Sequence, residues 1–334
     1  MNQDNLNFLI DAIIGSIIAG IGISEFEAGV ISRLGFGELI QLLPITNRLR
    51  EEQFGNYVRL CGILNAKSGY CSEDCKFCAQ SALWKAEMKT YSLLSSQEIV
   101  EKAKIAQSQK ASEFSIVASG KGIKKESELN IILQAISEIS SLGIECCASL
   151  GILEPDSLSR LKSAGLIRYH HNLESSEKFY PNICTTHSWE ESFETARNAK
   201  QLGLKICCGG IFGLGESWED RIELGIALSK LKTDSAPINF LIPIPGTPLE
   251  AQEKLTPLEA LKIIVIFRLM LPESEIIICG GREEILGDFQ SWIFPAGATG
   301  LIIGDYLTRK GRSPEEDLKM IKALGLKPRT DEPD

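Results

Sequence analysis

The chain has little excess positive charge, no long apolar run and almost no histidine. It carries 35 Lys and Arg against 44 Asp and Glu in 334 residues, a formal net charge of −9. No Lys/Arg-rich patch stands out, so a phosphate-tracking surface is excluded and nucleic acid is not an expected partner. The longest apolar stretch, Ile10 to Ile23, is broken by glycines and falls short of a bilayer span. It follows an acidic start, MNQDN, and lacks the basic segment of a signal peptide. We read it as an amphipathic or buried helix and expect no membrane partner and a cytoplasmic location. There is no low-complexity tract. At 44% hydrophobic and 24% charged residues the composition is globular. The length fits one large α/β barrel or two ordinary domains.

Cysteine, by contrast, is abundant. Ten stand at 61, 71, 75, 78, 146, 147, 184, 207, 208 and 279. An exported disulfide scaffold would be short, so cysteine here points to metal or redox chemistry. Buried cysteine as a small hydrophobe accounts for some positions. It does not account for Cys71, Cys75 and Cys78, which sit in a polar loop as CSEDCKFC, C-x3-C-x2-C. A structural zinc site wants four ligands, often two C-x2-C pairs or Cys/His sets. Only one C-x2-C exists, and no histidine lies within 80 residues after it. The reading left is a [4Fe-4S] cluster held by three thiolates, with one iron open.

From about residue 57 short strand-like runs alternate with amphipathic helical segments. The strand candidates are 58–66, 113–120, 145–151, 168–174, 205–213, 237–244, 275–281 and 300–306. Several helix patterns begin at Ser, Thr or Asp and stop at Gly. Eight βα units over about 250 residues predict an α/β fold, a TIM-type (β/α)8 barrel. A doubly wound open sheet is the alternative that periodicity leaves open. Expected boundaries are a helical N-terminal extension over 1–55, the barrel over 56–326 and a flexible tail over 327–334. The cysteine triplet then follows the first strand, where barrel enzymes carry functional groups.

A C-x3-C-x2-C triplet after the first strand of an α/β barrel resembles the radical S-adenosylmethionine (SAM) superfamily. In that family the open iron chelates SAM, and electron transfer yields a 5′-deoxyadenosyl radical that abstracts hydrogen. NAKSGYCSEDCKFCAQS, YHHNLESS, CGGIFGLGE, PINFLIPIPGTPL and GDYLTRKG, in order over about 45–325, resemble the biotin synthases. That resemblance implies sulfur insertion into dethiobiotin, consuming two SAM, with a second, auxiliary cluster giving the sulfur. It also implies a flavodoxin or ferredoxin-type electron donor and a homodimer. Cys71, Cys75 and Cys78 match the ligands of the SAM cluster, and Phe77 matches the aromatic residue near the adenine. Asn172 and Glu174 match residues contacting ribose and substrate, with His170 replacing the family's first asparagine. By alternation His170, Asn172 and Glu174 share one face, and His171 is ordinary strand polarity. Asn239 matches a substrate-contacting asparagine, and a polar residue in an apolar strand needs a partner. The Gly213 to Glu216 turn resembles the family's SAM-side loop. Where the family has an arginine near the SAM carboxylate, this chain has Ser192.

The auxiliary site departs from the family. Its common form is a [2Fe-2S] cluster on three cysteines and an arginine. Cys147 and Cys207 match two of the cysteines, but Ser115 stands for the third and Ile277 for the arginine. That ligand set cannot form. Alternation instead turns Cys61, Cys147, Cys207 and Cys279 inward from the first, third, fifth and seventh strands. Alternate strands of such a barrel contribute four-residue layers, so one layer of four cysteines is expected to cage a second cubane-type cluster. The plain alternative is that Cys61 and Cys279 are small buried residues. Cys146 and Cys208 would face the helices, and Cys184 takes no role. Two rival readings stand: another barrel radical-SAM enzyme with a different substrate, and a non-catalytic cluster carrier.

Overall fold

The short apolar runs between residues 57 and 302 are buried on both faces, as strands of a helix-covered parallel sheet must be. The computed structural model describes residues 3–331. The strands are β1 (Tyr57–Lys67), β2 (Glu113–Ala118), β3 (Glu145–Ser149), β4 (Arg168–His170), β5 (Lys205–Cys207), β6 (Gly210–Phe212), β7 (Ser235–Phe240), β8 (Glu275–Ile278) and β9 (Gly300–Ile302). β5 and β6 are two halves of one stave, both paired with β7. All pairings are parallel, and β9 returns to β1 with Gly300 opposite Arg59. Followed once around, the register comes back to β1 eight residues from its start, the shear of a TIM barrel. The expected (β/α)8 barrel is the observed one, and closure removes the open-sheet alternative.

Four helices precede the barrel: α1 (Gln3–Ile18), α2 (Glu25–Ile31), α3 (Phe36–Leu39) and α4 (Leu43–Phe54). The outer ring follows with α5 (Ser96–Ser108), α6 (Glu126–Ser140), α7 (Pro155–Ser163), α8 (Trp189–Gln201), α9 (Trp218–Leu231), α10 (Pro257–Met270), α11 (Arg282–Leu286) and α12 (Pro314–Ala323). Capping boxes at Ser95, Ser188, Ser217 and Thr256 fix where α5, α8, α9 and α10 begin, because each side chain takes an otherwise orphaned N–H. No helix among the described residues is long and apolar enough to cross a membrane.

The tail expected over 327–334 starts with regular structure. Lys327 and Pro328 form β10, parallel to Tyr57 and Val58, and Arg329 reaches Glu275 at 2.9 Å. The edge of β1 supplies backbone partners that composition does not reveal, and a 3-10 turn follows over Arg329–Asp331. Residues 332–334 lie outside the described set.

The N-terminal end of the barrel is plugged by charge. Arg59 meets Glu113 at 2.9 Å, Glu145 at 2.7 Å and Glu275 at 3.1 Å. Arg168 meets Glu113 at 2.8 Å and Ser235 Oγ at 3.1 Å. Both guanidiniums are buried, and such charges persist only when paired. Above this plug the barrel interior opens into a cavity.

Candidate active site

The cysteine loop leaves β1 through Gly69, whose φ of +79° only glycine adopts freely. The loop is held by its own backbone. Cys71 N–H donates to Gln80 O (3.0 Å), Ala82 N–H to Cys71 O (2.8 Å), and Cys78 N–H to Cys75 O (3.0 Å). Trp84 Nε1 donates to Cys75 O at 3.0 Å. The segment after β4 clamps it from outside. Lys76 N–H donates to Ile183 O at 2.9 Å, and the Asp74 carboxylate accepts from Thr185 N at 2.8 Å. The three thiols thus sit on one rigid turn at the C-terminal mouth of the barrel. Three soft donors on one turn, with no fourth cysteine there, fit a three-thiolate cluster.

Cys78 and Phe77 stand in the wall of a cavity of about 410 Å3. The same cavity is walled by His170, Asn172, Glu174, Asn239 and, at greater depth, Cys61, Cys147, Cys207 and Cys279. Alternation therefore sorted the cysteines: Cys146 and Cys208 are buried among the helices instead. Burial raises all four inner thiols, Cys207 to about 12, so they are neutral until a metal displaces their protons. Burial is the largest cause at each, and the Glu113 carboxylate adds to it at Cys61, Cys147 and Cys207.

The expectation of one four-cysteine layer needs correction. With Cys147 opposite Arg168, Cys207 opposite Ser235 and Ser235 opposite Glu275, the level of Cys61, Cys147 and Cys207 meets β8 at Ile277. Cys279 lies two residues higher, one layer up. Its sulfur turns back, 3.4 Å from Ile277 O, toward the layer below. The climb of two residues per alternate strand is a property of the closed shear, which strand-by-strand alternation does not carry. No three of these four sulfurs are close enough for one ion; among the described residues, only Cys75, Cys184 and His187 form such a group.

The polar wall residues are partly satisfied by the chain itself. A Cβ at Gly209 would lie 2.1 Å from Pro237 O, so this glycine permits the break between β5 and β6. The freed Gly209 N–H donates to Asn172 Oδ1 at 3.1 Å, and Asn172 Nδ2 donates to Glu174 at 3.2 Å. Glu174 has a positive φ of 65°, so its placement comes from the turn and not from strand alternation, β4 having ended at His170. Burial raises its carboxyl to about 7, opposed by the Asn172 hydrogen bond. His170 Nδ1 lies 3.2 Å from Cys207 Sγ, and burial lowers the ring to about 4. Asn239 accepts from Gly280 N–H at 3.1 Å and donates to Gly210 O at 3.3 Å. The partner it needs is thus within the protein, and it ties β6 to the end of β8.

Other wall residues escaped sequence reasoning. Tyr306 and Arg309, from GDYLTRKG, line the cavity mouth. Tyr306 Oη donates to Glu283 at 2.8 Å and Arg309 pairs with Glu284. Ser192 is buried in α8, away from the cavity wall. Cys184 lies 3.7 Å from Cys75 Sγ and 3.2 Å from His187 Nδ1. The signal available for these two was their C-x2-H spacing, Cys184-Thr185-Thr186-His187.

The radical SAM superfamily model matches residues 66–225, and the biotin and thiamin synthesis associated domain matches 237–327. The biotin synthase of Trichlorobacter lovleyi is 47% identical over 318 residues, covering 95% of this chain and 96% of that protein. That of Thermodesulfovibrio yellowstonii is 49% identical over 302 residues, covering 90% and 95%. Among solved structures, methylornithine synthase superposes with a TM-score of 0.83 at 22% identity, covering 95% of this chain and 97% of that one. The FeFe-hydrogenase maturase from Carboxydothermus hydrogenoformans gives 0.80 at 19% identity, covering 97% and 80%. These two share the fold. Nearly half of all positions are identical to the curated relatives along almost their whole length, and both family segments occur in order, so the chain belongs to the biotin synthase family of radical SAM enzymes.

Proposed function

We infer that this enzyme inserts sulfur into dethiobiotin with two separate iron–sulfur centres at opposite ends of one cavity. Cys71, Cys75 and Cys78 hold the SAM-cleaving [4Fe-4S] cluster, and Cys61, Cys147, Cys207 and Cys279 hold the sulfur-donating one. The observation that carries this reading is the shared cavity, with Cys78 and Phe77 in its upper wall and four inward cysteines below. Between them the wall holds Asn172, Glu174, His170 and Asn239. When bound, the SAM cluster and SAM supply one-electron cleavage and hydrogen abstraction.

The chain's own residues do the rest. Glu174, oriented by Asn172, accepts hydrogen bonds from ligand hydroxyls. Asn239 and His170 line the substrate's path, Phe77 faces the adenine, and Arg309 offers a cation at the mouth to a ligand carboxylate. The ion-pair plug closes the floor, so a carbon radical held above it meets sulfur and not water. Ser115 and Ile277 lack the donors of the family's [2Fe-2S] site, which favours a cubane on four thiolates.

The same proposal includes a flavodoxin or ferredoxin-type donor, a cytoplasmic setting and a homodimer. Ten free cysteines suit a reducing compartment. Exposed Phe8, Ile18, Ile21 and Phe26 offer an apolar surface on α1, α2 and the link between them.

The test is anaerobic turnover of the reconstituted protein with SAM, dethiobiotin and a strong reductant. Biotin and 5′-deoxyadenosine are the expected products. SAM cleavage without biotin would point to another substrate, and no cleavage at all to a cluster carrier.

A further inference from the structure

On the far side of the cysteine loop from the cavity, Cys75, Cys184 and His187 each bring one ligand atom within 4.8 Å of the other two. Cys184 Sγ is 3.7 Å from Cys75 Sγ and 3.2 Å from His187 Nδ1. A tetrahedral ion with bonds of about 2.0–2.3 Å holds its ligands at such separations. The surroundings are those of a metal-binding imidazole. Tyr180 Oη sits 2.7 Å from His187 Nε2, fixing the ring and leaving Nδ1 toward the sulfurs. The buried Glu73 carboxylate lies 2.7 Å from the same Nδ1, a hydrogen-bond partner that an incoming ion displaces from that nitrogen.

This group opens outward. Cys184 and His187 line an external depression of about 630 Å3, with Glu177, Glu190 and Glu191 also in its wall. Neither residue lines the barrel cavity. A hard acidic rim leading to soft inner ligands attracts and then retains a divalent transition metal. Nothing in sulfur insertion uses Cys184 or His187.

We propose that Cys75, Cys184 and His187 bind a single thiophilic divalent cation in the cluster-free protein, Fe2+ in the cell, and that iron enters the cysteine loop through this site. Binding releases the thiol protons to solvent and changes no oxidation state. The loading role rests on the reading of Cys75 as a cluster ligand, because Cys75 is the residue common to both sites. The ion and the finished cluster therefore exclude one another, and completion of the cluster frees Cys184 and His187.

The experiment is an anaerobic titration of the cluster-free full chain with Co2+. One Co2+ per chain is expected, with thiolate-to-metal charge-transfer and tetrahedral d–d absorption. The signal should be unchanged in the C71S/C78S double variant, absent in C184S, and weakened at least roughly tenfold in H187A. Circular dichroism of C184S establishes that its fold is intact. A signature that persists in C184S, or that requires Cys71 and Cys78, overturns the site, as does absence of binding to the wild type. Because C71S/C78S cannot build the loop cluster, this arm decides the site independently of the cluster assignment. With limiting Fe2+ and sulfide, the C184S chain should assemble its loop cluster several-fold more slowly. An unchanged rate overturns the loading role.

Discussion

His170 Nδ1 lies 3.2 Å from the sulfur of Cys207, inside the barrel and one strand away. Burial lowers the imidazole to about 4, so near neutral pH the ring is uncharged and, as the Nδ1–H tautomer, can donate to a metal-bound Cys207 thiolate. Hydrogen bonds to cluster sulfurs raise reduction potentials. His170→Ala should lower the potential of the inner centre by tens of millivolts and slow biotin formation, while SAM cleavage at the outer centre continues. Potentiometric titration followed by electron paramagnetic resonance reads this directly. An unshifted potential would mean that the histidine only fills space.

Glu174 gives a pH dependence with a definite sign. Its ordinary value is 4.5, and burial raises it to about 7. Between those values the folded chain keeps a proton that the unfolded chain has lost. Its contribution to stability is therefore full below 4.5 and lost as pH rises to about 7. Ligand hydroxyls prefer the carboxylate, so SAM should bind more tightly as pH rises through that range. Glu174→Gln should remove the rise and weaken SAM binding by roughly tenfold at high pH, the worth of a charge-assisted hydrogen bond. Equilibrium dialysis across the pH range checks both. A pH-dependent affinity surviving in the variant would assign the titration to another group.

The floor of the barrel hangs on Glu113, which pairs with Arg59 at 2.9 Å and Arg168 at 2.8 Å. Removing the shared charge leaves two buried guanidiniums short of a partner. Glu113→Gln should lower unfolding stability of the cluster-free protein by about 3 kcal/mol, measured by urea denaturation. A loss under about 1 kcal/mol would show that Glu145 and Glu275 suffice to hold the plug.

Much of this was legible in the sequence, and the limits are physical. Period-two alternation separated Cys147 from Cys146 and Cys207 from Cys208 correctly, because the first pair sits in β3 and the second at the end of β5, where the two faces meet different surroundings. It also predicted the eight staves and the place of the cysteine loop after β1. Alternation says which face a residue takes but not its height, since height depends on shear accumulated around the closed barrel. That is why Ile277, and not Cys279, shares the level of Cys61, Cys147 and Cys207. Asn239 showed its need for a partner, but the Gly210 and Gly280 backbone that meets it comes from distant strands. Cys184 and His187 were hidden for the same reason. They lie more than 100 residues from Cys75, and contacts such as Lys76 N–H to Ile183 O and Asp74 to Thr185 bring the two loops together only in the fold.

The central claim is that Cys61, Cys147, Cys207 and Cys279 hold a second cubane, with Cys279 reaching down from the layer above. Anaerobic iron and sulfide counting with Mössbauer spectroscopy, on the wild type and on Cys279→Ser, tests it most directly. The account predicts about eight irons per chain falling to about four, with the loop cluster intact. A wild type holding about six irons, unaffected by the substitution, would contradict it.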